Sequence, residues 1–160
     1  MQHGQGTVIE TNGAIYQGDW NSGMKDGNGR KIWSNGDIYT GSWKNDYLHS
    51  KSGIYKHYEG THYTGSFDQG MKHGQGYLHS PNGMKYRGKF ANNKIEGRGT
   101  FKWPDGRAYY GMFKNNKMEG SGTFVNKDGS KFKGQFIKGL KHGKGKIIMK
   151  DKTVHEGEWV

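Results

Sequence analysis

The strongest constraint on this chain is that it repeats itself. The pattern aromatic-x-Gly-x-aromatic occurs as Tyr16-Gly18-Trp20, Tyr39-Gly41-Trp43, Tyr63-Gly65-Phe67, Tyr86-Gly88-Phe90, Tyr109-Gly111-Phe113 and Phe132-Gly134-Phe136, with a variant copy at His155-Gly157-Trp159. Successive copies start 23, 24, 23, 23, 23 and 23 residues apart. A second mark follows in phase, at Gly27-x-Gly29, Ser52-Gly53, Gly74-x-Gly76, Gly97-x-Gly99, Gly120-x-Gly122 and Gly143-x-Gly145, with an earlier copy at Gly4-x-Gly6. Between repeats stands an Asx-Gly or Glu-Gly pair, from Asn12-Gly13 to Asp128-Gly129. A period of this length means stacked supersecondary units, each too small to bury a face alone.

Periodicity then assigns the units. In Tyr39-Thr40-Gly41-Ser42-Trp43 the ring-bearing positions and the glycine alternate with polar residues, so they share one face of a strand. A second strand begins at each Gly-x-Gly. Two residues past its last glycine stand Val8, Lys31, Tyr55, Leu78, Phe101, Phe124 and Ile147, all but one apolar or aromatic. Asn-Gly and Asp-Gly pairs are hairpin signals and join each second strand to the next repeat. Every repeat therefore reads as two short antiparallel strands, and no stretch has helical period. The whole of 1–160 reads as one array: a partial unit at 1–15, repeats starting at 16, 39, 63, 86, 109 and 132, and a partial unit at 155–160.

Composition decides what such strands can pack with. Only 30% of residues are hydrophobic and mean hydropathy is -1.08, which would suit disorder, but aromatics reach 14% and only two residues are Pro. Gly accounts for 29 of the 160 residues. A glycine inside a strand is costly unless something approaches it closely. Each glycine between two same-face aromatics, such as Gly88 and Gly111, is therefore expected to lie under rings from neighbouring strands, and a row of rings over a row of such glycines would replace an aliphatic core.

The repeats resemble the MORN repeat (membrane occupation and recognition nexus). The stretch from Tyr63-Thr-Gly-Ser-Phe67 through Gly70 to His73-Gly74-Gln-Gly76 follows the family pattern, as does Phe132-Lys-Gly-Gln-Phe136 through Gly139 to His142-Gly143-Lys-Gly145. The resemblance implies an all-β fold: an elongated, twisted, single-layer antiparallel sheet of tandem β-hairpins, solenoid-like, forming a rod or groove. At about 4.8 Å between strands, a repeat would add roughly 10 Å and the array would reach about 65 Å. There are departures. The repeat starting at Tyr39 has an extra residue, and its segment Asn45–Lys51 predicts a bulge or altered loop. The motif's His is replaced by Asp26, Glu96 and Glu119 in three repeats. The chain opens on a second strand and closes on a first strand. These bare edges predict a piece of a longer array, self-association through open sheet ends, or neutral ends on a monomeric rod.

Catalytic chemistry finds no foothold. Ser42, Ser66 and His73 recur in repeat positions and read as scaffold, and the carboxylates are dispersed. Each Gly-x-Gly precedes a strand, so it lacks the helix N-terminus of a phosphate loop. His57 and His62 flank Glu59 without a specified third ligand, and Cys is absent. The expectation is no catalytic residue, no metal and no cofactor.

Binding is the better-supported purpose. Residues 1–80 hold seven Lys/Arg and seven Asp/Glu, whereas residues 81–160 hold eighteen and seven, so the second half carries the entire net charge of +11. Lys131, Lys133, Lys138, Lys141, Lys144 and Lys146 are the candidate anionic-partner site, with Lys131 and Lys133 on one strand face and Lys144 and Lys146 on another. With Arg87, Lys89, Arg98 and Lys102 they would form a stripe; the plain alternative is a solvated edge that discourages aggregation. Tyr86, Phe90, Tyr109, Phe113, Phe132 and Phe136 form a ladder that either packs the sheet or lines a groove for a partner helix. The resemblance implies a non-enzymatic scaffold in a cytoskeletal, ciliary or cortical assembly. The alternative is a membrane tether binding anionic phospholipid through the basic half. Nucleic acid ranks below both, because the rings are committed to packing. The expected setting is cytoplasmic, in the cytoskeleton, the cilium or the membrane-associated cortex.

Overall fold

The computed structural model describes residues 3–160, and every regular element among them is a β-strand. The chain forms two compact units, one ending at Pro81 and one spanning Asn82–Val160. The N-terminal unit contains β1 (Gly4–Ile9), β2 (Ile15–Asn21), β3 (Met24–Ile32), β4 (Ile38–Lys44), β5 (Tyr47–Leu48), β6 (Ser50–Lys56), β7 (His62–Asp68) and β8 (Met71–His79). The C-terminal unit contains β9 (Lys85–Ala91), β10 (Lys94–Lys102), β11 (Ala108–Lys114), β12 (Lys117–Val125), β13 (Lys131–Ile137), β14 (Leu140–Ile148) and β15 (Val154–Trp159). Within each unit the strands pair antiparallel in chain order, with β5 as a short side pairing on β4. Each is an open run of hairpins, as the repeat predicts.

Register turns the repeat into rows. Gly88, Gly99, Gly111, Gly122, Gly134, Gly145 and Gly157 are cross-strand partners in succession through the C-terminal unit. The first aromatic of each repeat lies over this row. A Cβ at Gly99 would strike the Tyr86 ring, and one at Gly122 the Tyr109 ring. The expectation that the glycine between two aromatics lies under rings of neighbouring strands needs correction: the ring over Gly88 is Tyr86 of the same strand, two residues earlier, and it is the second-strand Gly99 that a neighbouring strand's ring covers. One ring thus covers a glycine on its own strand and one on the next, because it lies across the gap of about 4.8 Å between the two strands.

The rings also hold one another. Tyr86 meets Phe90 of its own repeat at 5.2 Å and Phe113 of the next at 5.3 Å, both edge to face. Tyr109 does the same with Phe113 and Phe136, and Phe132 with Phe136 and Trp159. In the N-terminal unit Tyr16 and Tyr39 continue the scheme with Trp43 and Phe67. Such pairs add about 0.5–1.5 kcal/mol each beyond area burial. Every buried tyrosine hydroxyl donates to a carbonyl three residues on: Tyr16 to Asp19, Tyr39 to Ser42, Tyr63 to Ser66, Tyr86 to Lys89 and Tyr109 to Met112, at 2.9–3.0 Å. The core is therefore one ring stack along one face of each sheet.

The Gly-x-Gly has two separate jobs. Its second glycine makes room for the ring. Its first adopts a left-handed backbone, as at Gly97 (φ 71°) and Gly120 (φ 74°), where the strand register shifts. In the repeat starting at Tyr39 this first position is Lys51, which carries a side chain. There the strand breaks at His49 into β5 and β6, and the extra residue is absorbed. The turn before it, Asn45-Asp46 (φ 47° and 68°), matches Asn92-Asn93 and Asn115-Asn116 (φ 48–49° and 67°). The irregularity thus lies after the turn, within the expected segment.

Candidate interaction surface

Alternation gives each sheet two unlike faces. One carries the ring stack. On it Tyr86, Phe90, Tyr109, Phe113, Phe132 and Phe136 are 0–5% exposed, so these six rings are spent on one another and on the glycine row. A partner on this face would touch the outer, half-buried row of Phe101, Trp103 and Phe124, which meet tilted at 4.6 and 5.6 Å between centroids, with the Arg107 guanidinium over Trp103. Burial pushes the Tyr86 and Tyr109 phenols up to about 12. They are neutral donors at physiological pH.

The opposite face is polar and open. In the C-terminal unit it collects four of the six candidate lysines. Lys133 stands directly across from Lys146, and Lys131 and Lys144 lie one alternation away on the same two strands. The two pairs share one sheet face, not two, because the paired strands run antiparallel with Lys133 and Lys146 in register. The other two are elsewhere. Lys138 sits in the β13–β14 turn, and Lys141 lies on the ring face with its ammonium 4.9 Å above Phe132. Arg87, Lys89, Arg98 and Lys102 lie on the same polar face as the four lysines, by alternation from the buried Tyr86 and the glycine row.

The polar face of the N-terminal unit, taken by itself, has a different charge pattern. Over β1–β4 it forms a depression of about 670 Å³ lined by Gln5, Thr7, Gln17, Asn28, Thr40 and glycine backbone. Arg30 stands between Gln17 and Thr40 on this face and Asp19 accepts the Asn28 N–H there, while other charged groups gather off it. The Lys31 ammonium, hydrogen-bonded at 2.6 Å, holds the Glu10 carboxyl below its ordinary range; Lys25 at 3.1 Å adds to this, and partial burial opposes it. The buried Asp37 accepts hydrogen bonds from the Tyr55 hydroxyl at 2.6 Å and the Tyr58 amide at 2.9 Å, with His57 at 3.8 Å. Burial works to raise the Asp37 pKa, but these donors overcome it and the net direction is down. Among the described residues no three His, Asp or Glu side chains gather closely enough to hold a metal ion. His62 is across the sheet from Lys56 and His79, away from the Asp37 cluster.

The carboxylates that replace the motif's His have a use that sequence reading missed. Glu96 accepts the backbone N–H of Asn115 at 2.9 Å, and Glu119 that of Lys138 at 2.8 Å. His49 and Asp68, at the same 19-residue separation, meet at 3.1 Å. Glu96 and Glu119 thus tie their repeats to the turn of the next, and His49 ties its repeat to the last residue of the next repeat's first strand.

Paired strands with a left-handed first glycine, a ring over the second, and a turn tied to its successor recur down the chain. The family model for the MORN repeat matches residues 16–38, 39–51, 63–85, 86–106, 109–131 and 132–154. The chain belongs to the MORN-repeat family. The 13-residue second match ends at the broken strand of the irregular MORN repeat. No curated protein sequence matches the chain. Among solved structures, the TCP domain of SAS-4 (dCPAP) from Drosophila melanogaster, determined in complex with a proline-rich motif of Ana2 (dSTIL), is 15% identical. That match covers 97% of this chain and 90% of that one with a TM-score of 0.57. The G-box domain of the microcephaly protein CPAP is 17% identical, covering 98% of this chain and 100% of that one with a TM-score of 0.41. The first of these likenesses shows the fold: consecutive antiparallel strands in an open sheet.

Proposed function

We propose that this MORN-repeat chain is a non-enzymatic protein-interaction scaffold serving a cytoskeletal, ciliary or cortical assembly. The observation that carries the reading is the division of labour between the faces. Each repeat uses one face for its own ring stack and leaves the other open, with side chains on a fixed grid that differ from repeat to repeat. A surface of that kind suits recognition of an extended or flat partner and offers no enclosed site for chemistry. The SAS-4 TCP domain, of like fold, was solved with a partner peptide, which supports a protein partner. Amine-reactive cross-linking in extracts of the source cells tests it. Discrete protein cross-links at Lys85, Lys102 or Lys131 are expected, and their complete absence would overturn the reading.

An anionic bilayer is a second reading, favoured by the gathering of Lys131, Lys133, Lys144 and Lys146 on one open face. Basic residues near such a surface contribute about 1 kcal/mol each. Flotation with neutral and anionic vesicles across a salt series tests it. Binding to anionic vesicles alone, lost as salt rises, is the expected result, and no flotation at low salt would exclude it.

A further inference from the structure

The polar face of the C-terminal unit has a charge order that neither solubility nor packing requires. One cross-strand row reads Arg87, Thr100, Tyr110, Thr123, Lys133, Lys146 from β9 to β14. The row beside it begins with Lys85 and Lys102, passes Ala108 and Val125, and reaches Lys131. On the other side Arg98 stands across from Met112. Cations thus occupy the two ends, on β9–β10 and on β13–β14. Within these rows the middle, on β11–β12, is uncharged and includes the exposed Tyr110 (45%) and Met112 (37%), while the paired Lys114 and Lys117 lie at the turn end of the same two strands. None of these basic side chains belongs to an ion pair among the described residues. Lys133 and Lys146 oppose each other directly, an unfavourable arrangement that Glu156, across from Lys146 on its other side, offsets for Lys146 but not for Lys133.

We propose that this face binds an acidic segment of a protein partner, extended across the strands. Its carboxylates would lie over both cationic ends and an apolar side chain over Tyr110 and Met112. The proposal rests on the reading of the chain as a protein-interaction scaffold and supplies the chemistry of its partner. Five strand spacings from β9 to β14 span about 24 Å. About seven extended residues cover that distance. Charge order also separates this occupant from a bilayer. On β15, Glu156 and Glu158 stand next to Lys146 and Lys144. A narrow acidic chain can lie on β9–β14 and stop short of them. A plane of anionic headgroups centred on the four lysines would also cover both glutamates and be repelled there.

The test is fluorescence anisotropy with the full chain and two labelled nonapeptides of one composition. The probe is Glu-Asp-Glu-Leu-Phe-Leu-Glu-Asp-Glu, and its isomer carries all six acids at one end. The probe should bind in a saturable, salt-sensitive manner and more tightly than the isomer. Arg87→Glu and Lys133→Glu, at opposite ends of the row, should each weaken it by about tenfold or more. Tyr110→Ala should abolish the preference over the isomer. Circular dichroism identical to the parent chain keeps these comparisons valid, since all three side chains are exposed or half-exposed on the open face. No saturable probe binding at low salt would overturn the proposal. So would binding of phosphatidylcholine vesicles containing phosphatidylserine, lost in the same variants, in place of peptide. Protein cross-links that persist in a chain that ignores the probe would sink this inference alone and leave the scaffold reading standing.

Discussion

The carboxylate of Glu119 accepts the backbone N–H of Lys138, 19 residues further on, at 2.8 Å. Lys138 opens the next turn in a left-handed conformation (φ 52°), and the Gly139 amide beside it donates to the Met118 carbonyl at 2.9 Å. Two neighbouring residues of one repeat therefore hold two neighbouring residues of the next. Glu119→Ala should lower stability by about 1 kcal/mol, the net value of an ordinary hydrogen bond, since the site is exposed. Glu119→Gln, which keeps an acceptor oxygen, should recover most of it. Urea unfolding of the three proteins checks this; an alanine variant as stable as the parent would show that the turns need no tie.

The ring-over-glycine arrangement predicts a contrast within one row. A Cβ at Gly99 would collide with the Tyr86 ring, held by its hydrogen bond to the Lys89 carbonyl. Gly99→Ala should cost about 1–3 kcal/mol, as overpacking does. Gly157, at the end of the same row, would meet only Trp159 at 3.5 Å and has no left-handed backbone. Gly157→Ala should fall within about 0.5 kcal/mol of the parent, like most changes free of such features. Thermal melts of both variants decide it, and equal losses would mean that the rings do not determine where glycine is required.

Much of this was legible because the constraint repeats. The strand assignment and the closeness of rings to glycine follow from Tyr86-Gly88-Phe90 and its copies, and the joints between repeats from Asn82-Gly83 and its counterparts. Single events were harder to read. That Asn92-Asn93 and Asn115-Asn116 are two-residue turns gave only a weak signal, because each lacks the glycine that marks such turns at Gly23, Gly70 and Gly139. Asp26, Glu96 and Glu119 looked like lapses from the motif, since a hydrogen bond to a backbone N–H in the next repeat leaves no mark on the acceptor's own sequence. The candidate lysines divided for a similar reason. Parity along a strand places Lys131 with Lys133, but whether Lys144 joins them depends on cross-strand register, which a bulge at Gly143 shifts. Lys141 gave no hint that it would lie over Phe132.

The buried phenols predict behaviour in alkali. The tyrosines at 16, 39, 63, 86 and 109 all have pKa values pushed up to about 12, chiefly by burial. A phenol whose folded pKa exceeds its unfolded value contributes stability that is fully present below the unfolded pKa, near 10, and is lost as pH rises through the folded one. Unfolding should therefore set in between about pH 10 and pH 12, together with the absorbance change of phenolate. Phe132 fills the same slot without a hydroxyl. Tyr109→Phe should accordingly be tolerated at neutral pH, at a cost of about 0.5–1.5 kcal/mol for the lost bond to Met112, and should make the alkaline transition less steep. An unchanged transition in that variant would remove the phenol from the account.

Lys133→Glu separates stability from binding. In the free chain Lys133 faces Lys146, which in turn faces Glu156 on β15. Like charges directly opposed across a strand pair are unfavourable, and opposite charges contribute roughly 0.2–1 kcal/mol. The substitution converts the first kind of pair into the second, so the variant should unfold at slightly higher denaturant than the parent, with the gain shrinking as salt rises. The same change should weaken any anionic partner on that face. A variant both more stable and weaker in binding would mean that the opposed lysines are kept for the partner and cost the free chain stability. A variant less stable than the parent would show that the two ammonium groups already avoid each other by pointing their long side chains into solvent, and the argument from their opposition would fall.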